Sequence, residues 1–288
     1  MKEIVIISGK GGTGKTTITG GLAALMKNKV IADCDVDAAD LHLILAPKVI
    51  ETHGFTAGVR PVIDEKKCTA CGACAGLCRF DAIEIQDIAK IDGFSCEGCG
   101  VCAWFCPEEA ISLKENLCGE WFVSETYYGP LVHAQIGIGE ENSGKLVSIV
   151  KRKARQIAGD IHADFVLVDG PPGVGCPVIA SLSNAYAVLI VTEPTLSGLH
   201  DLERVIDLAR HFKLSSYVCI NKWDINAGIA AQLEEMCSER DASVISRIPF
   251  DPAATKSLVA ARPVVGYDNG PMAGEIKRLL DVLLTRLN

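Results

Sequence analysis

Apolar residues fall along this chain in short unbroken runs, separated by longer stretches where they recur every third or fourth position. The runs are Ile4-Val5-Ile6-Ile7, Val30-Ile31-Ala32, Phe165-Val166-Leu167-Val168, Ala187-Val188-Leu189-Ile190-Val191-Thr192, Tyr217-Val218-Cys219-Ile220 and Val244-Ile245. Runs of this length suit strands buried on both faces. Helices are expected over 16–26, 199–212 and 229–240. Another follows Glu140-Glu141-Asn142-Ser143-Gly144-Lys145 and ends near Ile157, with Ser143 as its cap. Strand and helix in alternation over this length predict an α/β fold: a mostly parallel, doubly wound sheet with helices on both faces. From Leu117 to Ile136 the pattern alternates instead, around Trp121, Val123, Leu131 and Val132, and predicts a β-hairpin. The last stretch carries Ile276, Leu279, Leu280, Leu283, Leu284 and Leu287 at helical spacing. Glu275 and Asp281 dilute the positive charge that anionic lipid favours, so this helix is expected to pack on the sheet.

The first strand delivers the chain into Gly9-Lys10-Gly11-Gly12-Thr13-Gly14-Lys15-Thr16-Thr17, which matches G-x-x-x-x-G-K-[ST] between a strand and a helix. A P-loop NTPase is the expectation. Glycines let successive N–H groups and the positive end of the helix face an anion, Lys15 reaches the outer phosphates, and the Thr16 hydroxyl holds Mg²⁺. The second strand runs into Asp33-Cys34-Asp35-Val36-Asp37-Ala38-Ala39-Asp40. In an open α/β sheet ligands bind at the carboxyl ends of the strands, so Asp35 is placed to face a γ-phosphate and a water, while Asp37 and Asp40 fit capping roles. Val168-Asp169 ends another buried strand, placing Asp169 as an Mg²⁺ ligand through water, with Gly170-Pro171-Pro172-Gly173 as a switch-like loop. Asn221-Lys222-Trp223-Asp224 has the N-K-x-D form used by guanine-specific enzymes, which leaves the base open at this point.

Thirteen cysteines change the picture. Cys68, Cys71, Cys74 and Cys78 overlay Cys96, Cys99, Cys102 and Cys106 at an interval of 28 residues, and Ile63-Asp64 and Asp81–Ile85 overlay Ile91-Asp92 and Glu109–Leu113. Each copy reads C-x₂-C-x₂-C-x₃-C, the bacterial two-cluster ferredoxin pattern, in which the fourth cysteine ligates the other cluster. One [4Fe–4S] cluster is therefore assigned to Cys68, Cys71, Cys74 and Cys106, and a second to Cys96, Cys99, Cys102 and Cys78. A small α+β ferredoxin-like insert is expected at 62–113, between P-loop domain segments 1–61 and 114–288. Arg79 follows Cys78 where Pro107 follows Cys106 and is expected to be exposed. Cys176, at a helix start, is expected to be a small buried hydrophobe, as are Cys34, Cys118, Cys219 and Cys237.

Lys+Arg 28 against Asp+Glu 36 gives a net charge of −8, which argues against a broad grip on nucleic acid or anionic lipid. Lys151-Arg152-Lys153 and Arg155 form a short basic face, expected to be solvated or to meet an acidic redox partner. The longest apolar stretch is far short of a membrane span, and the P-loop strand occupies the place of a signal-peptide cleavage region. A cytoplasmic protein with no stable membrane insertion is expected, and there the cysteines suit metal or iron–sulfur ligation.

Lys10 ahead of Lys15, in Lys-Gly-Gly-Thr-Gly-Lys-Thr-Thr, resembles the deviant Walker A loop of the MinD/ParA/Mrp superfamily, which includes the nitrogenase iron protein. The resemblance implies that Lys10 crosses a dimer interface to the partner's nucleotide and that Asp35 orients the attacking water in switch I. It also implies that Asn221 contacts adenine, with Pro249 of Arg247-Ile248-Pro249-Phe250-Asp251 beside the base, and so favours ATP. The expected function is a dimer, with itself or with a paralogous ATPase. It hydrolyses ATP with Mg²⁺, slowly without a partner, and couples the cycle to electron transfer through two clusters toward a redox or metal-cofactor client. The alternatives are an iron–sulfur carrier of Mrp type, although its C-terminal C-x-x-C is not matched, and a MinD-like partner switch with structural clusters.

Overall fold

The computed structural model describes residues 1–137, 139, 140 and 143–287. In chain order its elements are β1 (Lys2–Ser8), α1 (Lys15–Leu25), β2 (Lys29–Asp33), α2 (Leu41–Leu45), β3 (Lys48–Ile63), α3 (Ala73–Leu77), β4 (Ile83–Ile85), β5 (Ala89–Ile91), α4 (Val101–Trp104), β6 (Ile111–Thr126), β7 (Gly129–Ile136) and α5 (Ser143–Asp160). There follow β8 (Phe165–Pro172), α6 (Cys176–Leu182), β9 (Ala187–Thr192), α7 (Leu196–His211), β10 (Ser215–Asn221), α8 (Ala227–Glu239), β11 (Ser243–Ile248), α9 (Ala253–Val259), α10 (Val264–Tyr267) and α11 (Pro271–Leu287). Nine strands form one sheet in the order β11-β10-β9-β1-β8-β2-β7-β6-β3. The six pairings from β11 to β7 are parallel. The expected α/β fold is the observed one.

Two compact units divide the chain. The larger takes in Met1–His53, Glu120–Ile136 and the chain from α5 onward. Its strands alternate their side chains between two covered faces, which is why they read as unbroken apolar runs. Ile4, Ile6, Ile31, Leu167 and Leu189 join one core with Ile18 and Leu22 of α1 and Ile276, Leu279 and Leu283 of α11. The C-terminal helix thus packs on the sheet, as its spacing predicted. Val5, Ile7, Val168 and Ile190 point the other way and are equally buried. Among the described residues no helix is long and apolar enough to cross a membrane.

Three local expectations change. Ser143 is the first residue of α5 and not its cap; Glu141 and Asn142, in the expected lead-in, lie outside the described residues. Of the basic stretch of α5, Arg152 is exposed but the other three residues are paired. Lys151 is buried, 2.8 Å from Glu3 Oε1, and donates to the carbonyls of Ala180, Ser181 and Ser183, while Arg155 Nε meets Glu3 Oε2 at 2.5 Å and Lys153 meets Glu51 at 3.3 Å. A lysine at the inward position of an amphipathic helix must find a carboxylate, and β1 supplies it. Cys176 is exposed, whereas Cys34, Cys118, Cys219 and Cys237 are buried.

The second unit spans Gly54–Gly119, together with the short segment after β7. It starts earlier and ends later than 62–113 because β3 and β6 run on beyond those limits. The 28-residue repeat is visible in its backbone. Gly72 and Gly100 precede α3 and α4 at φ 79° and 78°, and Asp81 and Glu109 take φ 50° and 48°. The Asp92 N–H donates to the Ala82 carbonyl at 2.8 Å, and the equivalent Asp64 N–H to Ala110 at 2.7 Å.

Candidate nucleotide and thiol sites

The carboxyl ends of β1, β2, β8, β9 and β10 bring the first site together. Gly14 caps α1 at φ 89°, and a Cβ there would lie 2.3 Å from Asn221 Nδ2, so only glycine keeps the loop closed on β10. Asp33 and Asp169 are register partners on β2 and β8. Lys15 Nζ sits 2.9 Å from Asp169 Oδ1 and 3.3 Å from Asp35 Oδ2. The Thr16 hydroxyl donates to Asp169 Oδ2 at 3.0 Å, and the Thr19 hydroxyl to Oδ1 at 2.8 Å. Lys15 and the three aspartates thus form one buried charge cluster.

Its electrostatics follow from burial. Desolvation works against the Lys15 cation, but Asp169, Asp35 and Asp33 outweigh it and hold the ammonium above its ordinary value. Burial, then the like charge of Asp169, drives Asp33 well up. Asp35 is raised by burial against the pull of Lys15. Three carboxylates around one lysine leave negative charge in excess, a setting that favours a further cation.

Asp33 is a residue that the sequence reading passed over. It accepts from the Asp35 N–H at 3.1 Å and from the Leu41 N–H at 3.2 Å, so it shapes the loop that carries Asp35. The capping expectation is corrected for Asp40: it makes no side-chain cap bond, and the Leu41 N–H at the start of α2 donates to Asp33.

Lys10 is held within its own chain. Its ammonium meets Glu193 Oε1 at 2.9 Å, the Thr195 hydroxyl at 3.0 Å and the Ser197 hydroxyl at 2.8 Å. Glu193 Oε2 accepts from Lys222 at 2.8 Å, and Lys222 also donates to the Gly12 carbonyl at 3.0 Å. Burial raises the Glu193 carboxyl, yet hydrogen bonds from Lys222 and Lys10 prevail and lower it. Glu193 and Lys222 also went unnoticed as site residues. Their signal was position: a polar residue directly after a buried run lies on the ligand edge of the sheet.

Asn221 donates through Nδ2 to the Thr13 carbonyl at 2.7 Å. Its Oδ1 and the Thr13 hydroxyl are buried without a partner among the described residues. Asp224, the last position of N-K-x-D, accepts from the Phe250 N–H at 2.7 Å, next to Pro249. At the switch-like loop, a Cβ on Gly170 would lie 2.7 Å from Ile7 Cγ2, and the Gly173 N–H donates to Ser8 at 2.8 Å.

The cysteines of the second unit line two cavities. Each encloses about 20 Å³: one is bounded by Cys68, Cys71, Cys74 and Cys106, the other by Cys78, Cys96, Cys99 and Cys102. Each therefore takes three thiols from one repeat and the fourth from the other. Cys74 and Cys102 are equally buried at 8 %, and burial raises both thiols. Cys78 Sγ accepts from the Ala82 N–H at 3.4 Å, and Cys106 Sγ from Ala110 at 3.3 Å. Arg79 is exposed. Among the described residues no group of three or more His, Cys, Asp and Glu side chains is drawn together so as to hold a metal ion; the thiols surround a space.

Comparison with known proteins extends this picture. The protein MJ0578 of Methanocaldococcus jannaschii is 34% identical over 289 residues, covering 98% of this chain and 96% of the relative. The iron–sulfur cluster carrier protein of the same organism is 23% identical over 287 residues, covering 92% and 78%. The structure of the septum site-determining protein MinD complexed with Mg-ADP from Pyrococcus horikoshii superposes with a TM-score of 0.59 at 17% identity, over 98% of this chain and 95% of that one, a likeness of fold. A family model described as the CobQ/CobB/MinD/ParA nucleotide binding domain matches residues 4–264, and with the P-loop cluster in place the chain belongs to that family.

Proposed function

We propose that this protein is a dimeric, Mg²⁺-dependent ATPase, formed with itself or a paralogue, whose nucleotide cycle is coupled to electron transfer through two [4Fe–4S] clusters. The observation that carries the reading is the sorting of eight thiols into two cavities of nearly equal size, each with four donors. Four thiols around a space fit a cluster, which takes one thiolate per iron. Cys68, Cys71, Cys74 and Cys106 would hold one, and Cys78, Cys96, Cys99 and Cys102 the other, supplying one-electron redox chemistry. The 62–113 segment then acts as a ferredoxin-like insert.

At the nucleotide site, Lys15 leaves Asp169 and Asp35 to meet the outer phosphates, with backbone amides of Gly9 to Thr17 around them. The Thr16 hydroxyl and Asp169, already 3.0 Å apart, would hold Mg²⁺. Release from Lys15 lets Asp35 orient the attacking water. Lys10 leaves Glu193 to reach the partner's nucleotide. ATP is favoured over GTP because Asp224 is engaged by a backbone amide, while Asn221 Oδ1 has an open acceptor. The test is a redox titration followed by electron paramagnetic resonance with ADP, with a non-hydrolysable ATP analogue and without nucleotide. Potentials that differ between the ATP and ADP states support coupling, and by linkage nucleotide affinity must then depend on oxidation state. Identical potentials in all three would remove it.

The iron–sulfur carrier relative favours a second reading, cluster delivery to client proteins. Cluster transfer to an apo-acceptor, faster with ATP than without, would select it.

A further inference from the structure

The two cavities come from one repeat, so positions 28 residues apart serve as each other's control. Around the thiols the copies match; at the rim they do not. Phe80 lines the second cavity and is 45 % exposed. Trp104 is 72 % exposed and stands against Gly100 of the same cavity, where an added Cβ would lie 3.7 Å from its ring. Their repeat equivalents are Glu108, which lines the first cavity, and Gly76. Among the described residues an exposed aromatic lines the second cavity and none lines the first, while Cys71 and Cys99 reach the surface alike.

Exposed Trp and Phe at one cavity mark surfaces that a partner covers, because large rings bury much area for little lost freedom. Charge indicates the partner. Between Gly54 and Gly119 the chain has ten Asp and Glu against six Lys and Arg, and Glu97 lies on the second cavity itself. The exposed Arg79 stands beside Phe80, but the stretch as a whole is acidic, and an acidic unit with aromatics at one cavity complements a basic face with an apolar centre.

We propose that Phe80 and Trp104 form the docking site of a redox protein whose contact face is apolar at its centre and rimmed by lysine or arginine, and that the second cysteine site is the one that exchanges electrons with it. The inference rests on the reading that both thiol sets hold clusters. In the exchange one electron leaves the reduced second site and one oxidised centre in the acceptor is reduced; no bond forms or breaks and no proton moves.

The test uses the iron-loaded full chain and ferricytochrome c, a basic one-electron acceptor. Iron content and visible spectrum are checked first for wild type, Phe80→Ser/Trp104→Ser and Leu77→Ser, the last altering an exposed residue that lines neither cavity. Calorimetric affinity for the oxidised protein and the stopped-flow reduction rate are then measured at low salt. The double variant is expected to lose about tenfold in both, the scale of one interface anchor, with Leu77→Ser unchanged and added salt slowing the wild type. Full iron with equal affinities and rates in all three proteins overturns the docking site alone, as does an equal fall in Leu77→Ser. Loss of self-association in the double variant with cytochrome rates intact assigns the face to a second copy and also overturns it. A wild-type chain that takes up no iron removes the cluster reading and this inference together.

Discussion

Lys10 and Glu193 form an ion pair at 2.9 Å across the mouth of the P-loop, and the same carboxylate holds Lys222 through its other oxygen. One glutamate thus restrains both flanks of the loop. If Lys10 serves a partner's nucleotide, this pair opposes dimerisation. Glu193→Gln is expected to tighten ATP-dependent association by about fivefold for each protomer whose Lys10 must leave the pair, from a part-exposed pair worth roughly 1 kcal/mol. Lys10→Ala should keep nucleotide binding and lose association and turnover, and Lys15→Ala should lose binding. Light scattering with a turnover assay reads all three; an unchanged ATP-induced mass shift in Lys10→Ala would refute the trans role.

The crossed thiol sets give a prediction with two arms. Cys106→Ser removes a donor from the first cavity, and Cys78→Ser one from the second. Each variant is expected to fall from about eight bound iron atoms to about four, with distinct paramagnetic signals remaining. Reconstitution that yields one zinc and no iron–sulfur absorption would sink the assignment.

His133 is buried beside Ser124 Oγ at 2.9 Å, and burial, aided by His42, lowers its pKa to about 4. The unfolded imidazole titrates near 6.5, so between 6.5 and about 4 the unfolded chain binds more protons than the folded one. Stability is therefore intact above pH 6.5 and lost as the pH falls, by roughly 3 kcal/mol at the acid end. His133→Gln, which keeps an acceptor for Ser124, should flatten that part of the urea-denaturation profile. Profiles of equal slope would refute it.

The buried Lys151–Glu3 pair predicts a non-additive result. Glu3→Gln leaves a buried ammonium without its carboxylate and should cost about 3–5 kcal/mol. Adding Lys151→Met should recover part of that loss, because an apolar side chain needs no counter-ion there. Urea melts of the two variants decide it; a double variant less stable than Glu3→Gln would show that the carbonyls of α6 hold Lys151 for another reason.

Much of this was legible because it is local. The run Ile4–Ile7 before Gly14-Lys15-Thr16 fixes a strand, a loop and a helix within one stretch, and Asp169 declares itself by ending an apolar run. The cysteine repeat needs only counting. What stayed hidden depends on distant partners. The outer half of β3 exposes Val49 and Ile50 and carries no clean alternation, and its strand character comes from lying beside β6. Lys151 reads as a surface cation until Glu3 arrives from β1. Asp33 sits two residues from the carboxylate that motif logic selects, and its role, accepting the Leu41 amide, belongs to a turn whose shape spacing does not specify.

The chain leaves the sheet on β3 and returns on β6, its neighbour, and just past their ends the Asp64 N–H reaches the Ala110 carbonyl at 2.7 Å. For the sheet, everything between those two residues is one hairpin loop, closed at its neck by a backbone hydrogen bond. Closure entropy grows only with the logarithm of loop length, so the module costs the strands about 2 kcal/mol more than a short turn would. The module is therefore a cassette. The pairing of β3 with β6 and the bond at the neck use none of the eight repeated cysteines, so the strands need no filled thiol site in order to join.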